Sequence, residues 1–169
     1  VFLVTPNNPT GTVIADKDIL RMIDEVDENT LIVIDRTLVN IYKEIETRDI
    51  LEYAKGKQVA VIHSGSKYVG MSHLRVGFAL YSSIDTAEEI RPHLPLGLGI
   101  EGLVKVTRRL LNDGPLRPSR AIISNITETK TCINEFSKSN NDIRISDFSG
   151  NYCVMELPRE YDSETITAA

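Results

Sequence analysis

Three apolar runs in this 169-residue chain each hand over to side chains that can do chemistry. Val1-Phe2-Leu3-Val4 runs into Thr5-Pro6-Asn7-Asn8-Pro9-Thr10-Gly11, Leu31-Ile32-Val33-Ile34 into Asp35, and Val59-Ala60-Val61-Ile62 into His63-Ser64-Gly65-Ser66-Lys67. An amine can add to a carbonyl or carry a proton, a carboxylate can hold a cation, and amide and hydroxyl groups can donate to an anion. Singly, each has an ordinary explanation: Asn8 as a turn former, Asp35 as a helix cap, Lys67 as a solvated loop charge. Their joint placement is harder to explain that way. In an open parallel sheet, ligands bind beyond the carboxyl ends of the strands, where these groups would share one crevice. Gly65-Ser66-Lys67 is not a phosphate loop, because the earlier glycine of GxxxxGK[ST] and the following Ser or Thr are missing, and there is no GxGxxG.

The elements that position these groups follow from periodicity. The apolar runs predict strands covered on both faces. Between the first two, Ile19, Leu20, Ile23 and Val26 recur at helical spacing, with Asp16 able to cap the helix and Asp18 suited to the positive end of its dipole. Val1 to Asp35 is therefore expected to be a strand, helix, strand unit with parallel strands. A polar stretch around Ile50 to Lys55 has helical potential, and Arg75 to Leu80 predicts a fourth strand. Helical pattern begins at Asp85, is interrupted by Pro92, Pro95 and the glycines at 97 and 99, resumes from Ile100 to Asn112, and stops at Gly114-Pro115. Arg120 to Ser139 predicts one long helix, and the alternation from Tyr152 to Leu157 predicts a strand of a different, more exposed sheet. A domain change is placed between Leu116 and Arg120, dividing the chain into residues 1–117 and 118–169. The apolar opening at Val1 and the helix-like end after Glu164 lead us to expect a fragment of a longer protein.

A formal charge of -5 and a pI near 5.2 argue against general affinity for nucleic acid or anionic membrane, and favour a small acidic metabolite as partner. No apolar run approaches the roughly 20 residues of a membrane span, and with no charged leader the chain is read as cytoplasmic. Cys132 and Cys153 have neither CxxC spacing nor a nearby histidine pair and are expected as buried thiols, and His63 and His73 lack the partners of a metal site. Lys105, Arg108 and Arg109 are read as a solvated helix face, and Asn125-Ile126-Thr127 as a chance match to a glycosylation triplet.

Pro6-Asn7-Asn8-Pro9-Thr10-Gly11 resembles the NPxNPTG segment of the aspartate aminotransferase superfamily, with Thr5 in place of its first asparagine. Ser64-Gly65-Ser66-Lys67, followed by Gly70 and Leu74-Arg75-Val76-Gly77, resembles the same superfamily's SxSKxxGxxxxRxG signature, including the eight residues from lysine to arginine. The likeness is good over Val1 to Leu80 and weak beyond, although Ser149-Gly150-Asn151-Tyr152 resembles the approach to a strand of the small domain.

The resemblance implies a fold type I pyridoxal-phosphate enzyme: an α/β three-layer sandwich with a mainly parallel sheet, here partial, and the start of a smaller α+β domain. It implies that Lys67 forms the Schiff base with the cofactor aldehyde and shuttles the substrate's α proton, and that Asp35 pairs with the pyridine nitrogen. Asn8 would donate to the phenolic oxygen, and Arg75, with Ser64 and Ser66, would bind the phosphate. The chief departure is Asp35-Arg36-Thr37-Leu38 in place of the common Asp-x-Ala-Tyr, since Leu38 has no hydroxyl; Tyr42 or Tyr68 are candidate substitutes. The activity implied is an aminotransferase acting on an amino acid and a 2-oxo acid, as a homodimer. The same cradle serves decarboxylases, C–S or β lyases and acyl-transferring synthases, and a non-catalytic cofactor-binding module is a further alternative.

Overall fold

The computed structural model describes residues 1–38, 47–67, 72, 77–94, 105, 120–146 and 152–159. Its main sheet has four strands in the order β1 (Phe2–Val4), β2 (Ile32–Asp35), β3 (Val59–Ser64) and β4 (Gly77–Tyr81). The first three are parallel, in the register Val4↔Asp35↔Ile62, and β4 runs antiparallel to β3 with Ser64 opposite Gly77. The expected α/β architecture with a mainly parallel sheet is therefore observed.

Helix α1 (Asp16–Glu25) joins β1 to β2, and α2 (Thr47–Tyr53) precedes β3. The i, i+4 pair Ile19 and Ile23 and the pair Ile50 and Ala54 are buried against Ile32 and Ile34 of β2 and Val59 and Val61 of β3, with Leu20 and Val26 at the margin. Full burial of each large aliphatic side chain stabilises the fold by about 1.5–3 kcal/mol, which is why these short elements hold together. The N-cap of α1 is Ala15, in extended conformation with no side-chain cap, and not Asp16. Asp16 stands in the first turn with its carboxylate 3.9 Å from the buried guanidinium of Arg36, which draws it away from the helix end.

Because side chains alternate along a strand, this register sorts the strand ends by face. Ile32, Ile34 and Val61 point to the helices. Val33 and Asp35 point the other way, with Ile62 and Ser64. The predicted fourth strand is observed over Gly77–Tyr81; Arg75 and Val76 lie outside the described residues. A Cβ at Gly77 would stand 3.0 Å from the His63 carbonyl oxygen, so β4 approaches the end of β3 closely only because this residue has no side chain.

Helix α3 (Ile84–Ile90) follows β4 and is capped by Ser83, whose hydroxyl accepts from the Thr86 N–H at 3.0 Å. The predicted helix from Ile100 to Asn112 lies outside the described residues, apart from Lys105, which is helical and exposed. Helix α4 spans Arg120–Ser139, as the uninterrupted pattern predicts. It has no fully buried residue, and Cys132 is exposed on it, which corrects the expectation of a buried thiol there. A separate antiparallel pair joins β5 (Arg144–Ile145) to β6 (Met155–Glu156). The strand predicted from Tyr152 is shorter than its alternation suggests. At Val154 the ladder gives way to a side-chain bridge, in which the Val154 N–H donates to Ser146 Oγ at 2.9 Å while its carbonyl accepts from the Ser146 N–H at 2.9 Å.

Candidate active site

The turn after β1 is closed by Gly11 N–H to the Asn7 carbonyl at 2.8 Å and by Asn7 N–H to the Thr12 carbonyl at 2.9 Å, with Gly11 at φ 72°, where a side chain would be strained. The Thr5–Pro6 and Asn8–Pro9 peptides are cis. Asn7 folds onto its own turn, its Nδ2 donating to Thr10 Oγ1 at 2.8 Å, whereas Asn8 is exposed. Thr5, the departure from the asparagine of the motif, is fully buried; its hydroxyl accepts from the Ile14 N–H at 3.0 Å and its N–H donates to the Asp35 carbonyl at 3.1 Å. One residue thus ties the Asn8 turn to the end of β2.

Asp35 is the last residue of β2, on the face it shares with Ser64. Its Oδ1 accepts two hydrogen bonds from Thr37, from the N–H at 2.9 Å and from the hydroxyl at 2.6 Å. The next turn is similarly local: Ser66 N–H donates to Ser64 Oγ at 3.1 Å across the buried Gly65, and Lys67 stands exposed beyond it. The structure thus sets Asn8, Asp35 and Ser64-Ser66-Lys67 at the carboxyl ends of three neighbouring parallel strands. Among the described residues no hydrogen bond links Asn8, Asp35 and Lys67 to one another. Arg75, Tyr42, Tyr68 and His73 lie outside the described residues.

The opposite face of the same strand ends carries groups whose role spacing did not reveal. Arg36 is fully buried, with its backbone N–H bonded to the Ile62 carbonyl at 2.9 Å and its guanidinium facing Asp16. His63 is 6% exposed, its Nε2 is 2.8 Å from Thr47 Oγ1, and its ring stacks on Phe78 with centroids 5.2 Å apart. Burial, reinforced by the positive charge of Arg36 and opposed by the negative charge of Asp35, lowers the His63 pKa to about 4. His63 is therefore a neutral packing residue on the helix side, not a proton carrier of the cleft.

Leu38 is buried and apolar. A phenol reaches the neighbourhood from elsewhere: the Tyr152 hydroxyl oxygen is buried, with no hydrogen-bond partner among the described residues, and its pKa is raised, first by burial and then by the negative charge of Asp35. The resemblance around Asn151 marked this segment, but nothing local announced its nearness to Asp35.

As a donor set, an amide, a carboxylate, two hydroxyls and an amine suit pyridoxal phosphate: a carboxylate for a protonated ring nitrogen, hydroxyls for a phosphate, an amine for an aldehyde. The fit has a geometric basis in Asp35, whose bonds from described residues all fall on Oδ1, leaving Oδ2 to a further donor. Among the described residues no cluster of three or more His, Cys, Asp or Glu could hold a metal ion, and no helix is long and apolar enough to cross a membrane.

Comparison with known proteins decides the family. The sequence model of "Aminotransferase class I and II" matches residues 1–165. The chain belongs to that family. It is 33% identical over 99 residues to the aromatic amino acid aminotransferase of Streptomyces coelicolor, covering 58% of this chain and 28% of that protein. The structure of histidinol-phosphate aminotransferase from Sinorhizobium meliloti in complex with pyridoxal-5'-phosphate superposes with a TM-score of 0.70 at 18% identity, over 94% of this chain and 42% of that one. L-threonine-O-3-phosphate decarboxylase from Porphyromonas gingivalis superposes with a TM-score of 0.71 at 17% identity, over 92% of this chain and 46% of that one. Both likenesses show the fold. The chain spans less than half the length of these proteins.

Proposed function

We propose that this chain is the cofactor-binding part of a pyridoxal-phosphate-dependent aminotransferase that moves an amino group between an amino acid and a 2-oxo acid. The observation that carries the reading is Asp35, held at the end of β2 with Oδ1 saturated by Thr37 and on the same sheet face as Ser64. Pyridoxal phosphate, when bound, supplies an electron sink for the pair released at the substrate's α carbon. Asp35 holds the proton at the ring nitrogen, since a neighbouring carboxylate favours the charged form. Lys67 would hold the aldehyde carbon through Nζ until the substrate amine displaces it, and the amine so freed would take and return the α proton. Asn8 donates its amide to the phenolic oxygen, and Ser64, Ser66 and Arg75 bind the phosphate, Arg75 by its planar fork.

We further place a domain boundary near residue 117, and the complete protein as a cytoplasmic homodimer. The likeness to a decarboxylase of the same fold supports a second reading, in which the same residues serve loss of carbon dioxide instead of amino transfer.

The test uses the full-length protein. Borohydride should remove its visible absorption band and fix the cofactor to Lys67, and single-turnover mixing with a panel of amino acids should yield the amine form of the cofactor. Asp35→Asn should slow that conversion by several orders of magnitude while sparing lysine attachment, each tenfold being about 1.4 kcal/mol of barrier. A label on another lysine, or an Asn variant as fast as wild type, would refute the assignments; carbon dioxide release without amine-form cofactor would select the second reading.

A further inference from the structure

The ends of Asp35 are fixed before its side chain is considered. The Thr5 N–H donates to its carbonyl at 3.1 Å, and the next N–H, that of Arg36, donates to the Ile62 carbonyl at 2.9 Å, so β2 is held by both neighbouring strands at this point. What remains free is rotation about the side chain's own bonds. Residues 36 and 38 are both buried, Arg36 at 0% and Leu38 at 6% exposure, so the backbone of Thr37 is clamped between two anchored neighbours. Thr37 itself is partly buried and lies on the Asp35 side, where its N–H at 2.9 Å and its hydroxyl at 2.6 Å converge on a single oxygen, Oδ1. A local turn of the Asp type needs only the backbone bond. The hydroxyl bond is additional, short as charge-assisted O–H···O bonds are, and comes from a β-branched side chain with little freedom at χ1.

We propose that Thr37 is a positioning residue: its hydroxyl locks the Asp35 carboxylate so that Oδ2 is presented to the cofactor's ring nitrogen. This rests on the reading of Asp35 as the ring partner. With one donor only, Oδ1 remains tethered but the carboxylate can turn about that tether. It then spends less time facing the ring, and the ring proton is held less well. Two donors from one clamped residue remove that rotation before the cofactor arrives, the kind of preorganisation that makes an electrostatic contact effective. The Ala that the motif commonly carries at this position could not supply the second bond.

The experiment uses the full-length protein loaded with pyridoxal phosphate labelled with nitrogen-15 in the ring. The ring-nitrogen chemical shift separates the protonated from the neutral ring without turnover, and single-turnover rates with a reactive amino acid are measured beside it. Thr37→Val removes the hydroxyl and keeps shape and backbone bond; Thr37→Ser restores the hydroxyl. Wild type and Thr37→Ser should show the protonated shift. Thr37→Val should move toward the neutral shift and slow the single turnover by about ten- to a hundredfold, as expected for loss of one bond to a charged group. A Val variant with the wild-type shift and a rate within twofold of wild type would overturn the role of Thr37 alone. If instead Asp35→Asn retains the protonated shift, the reading of Asp35 fails, and this proposal with it. Should the Val variant not fold, Thr37→Ala against Thr37→Ser makes the same comparison: unequal shifts support the proposal, and equal shifts overturn it.

Discussion

His63 makes the stability of this fold depend on pH in a window that can be stated in advance. In the unfolded chain its imidazole titrates near 6.5; in the folded chain burial and the nearby Arg36 charge lower the pKa to about 4. Below 6.5 the unfolded state therefore takes up a proton that the folded state refuses, so stability is complete above about 6.5 and falls as the pH drops toward 4. The full displacement is worth roughly 3 kcal/mol, of which on the order of 1 kcal/mol is already lost at pH 5.5. The ring is 6% exposed and hydrogen-bonded to Thr47, so solvent screening takes little from this figure. The perturbation is His63→Asn, which removes the titrating ring. Urea unfolding of the cofactor-free full-length protein from pH 7.5 to 4.5 is compared with wild type, because carboxylates common to both cancel in the difference. The variant should be less stable at pH 7.5 through loss of packing on Phe78, yet its stability should fall less steeply, the two curves converging by on the order of 1 kcal/mol at pH 5.5. Parallel curves across this range would show that His63 is not buried in its neutral form and would refute the reasoning.

Two further perturbations test the scaffold of the site. Thr5→Val keeps the volume but leaves the Ile14 N–H without its acceptor; a loss of about 1–3 kcal/mol in urea unfolding is expected, and an unchanged midpoint would mean that the hydroxyl does not tie down this turn. Gly77→Ala puts a methyl group 3.0 Å from the His63 carbonyl, where β3 backbone has to give, so a destabilisation of about 1–3 kcal/mol is expected by thermal unfolding, with no change in melting temperature as the refuting result.

Much of this molecule was legible from local pattern. Runs of four apolar residues leading into the Asn8, Asp35 and Lys67 segments, each bounded by turn residues, predicted buried strands delivering polar groups to one end of a parallel sheet, and the observed strand order agrees. Helix α4 was readable to both ends because nothing between Arg120 and Ser139 breaks a helix. The motifs around Lys67 and Arg75 pointed to the family, and the family match agrees with that. Pattern could not say which groups meet across strands. That Asp35 and Ser64 share a face while Arg36 and His63 share the other follows from the register of β2 on β3, set by backbone pairing between segments more than twenty residues apart. Asp16 reads as an ordinary cap until Arg36 is seen buried beside it. Tyr152 reads as a strand residue until its hydroxyl is found buried in the field of Asp35. Burial and charge are sums over neighbours in space, so the low basicity of His63 and the setting of the Tyr152 phenol exist only once the chain has folded, whereas alternation and turn chemistry are properties of the chain itself.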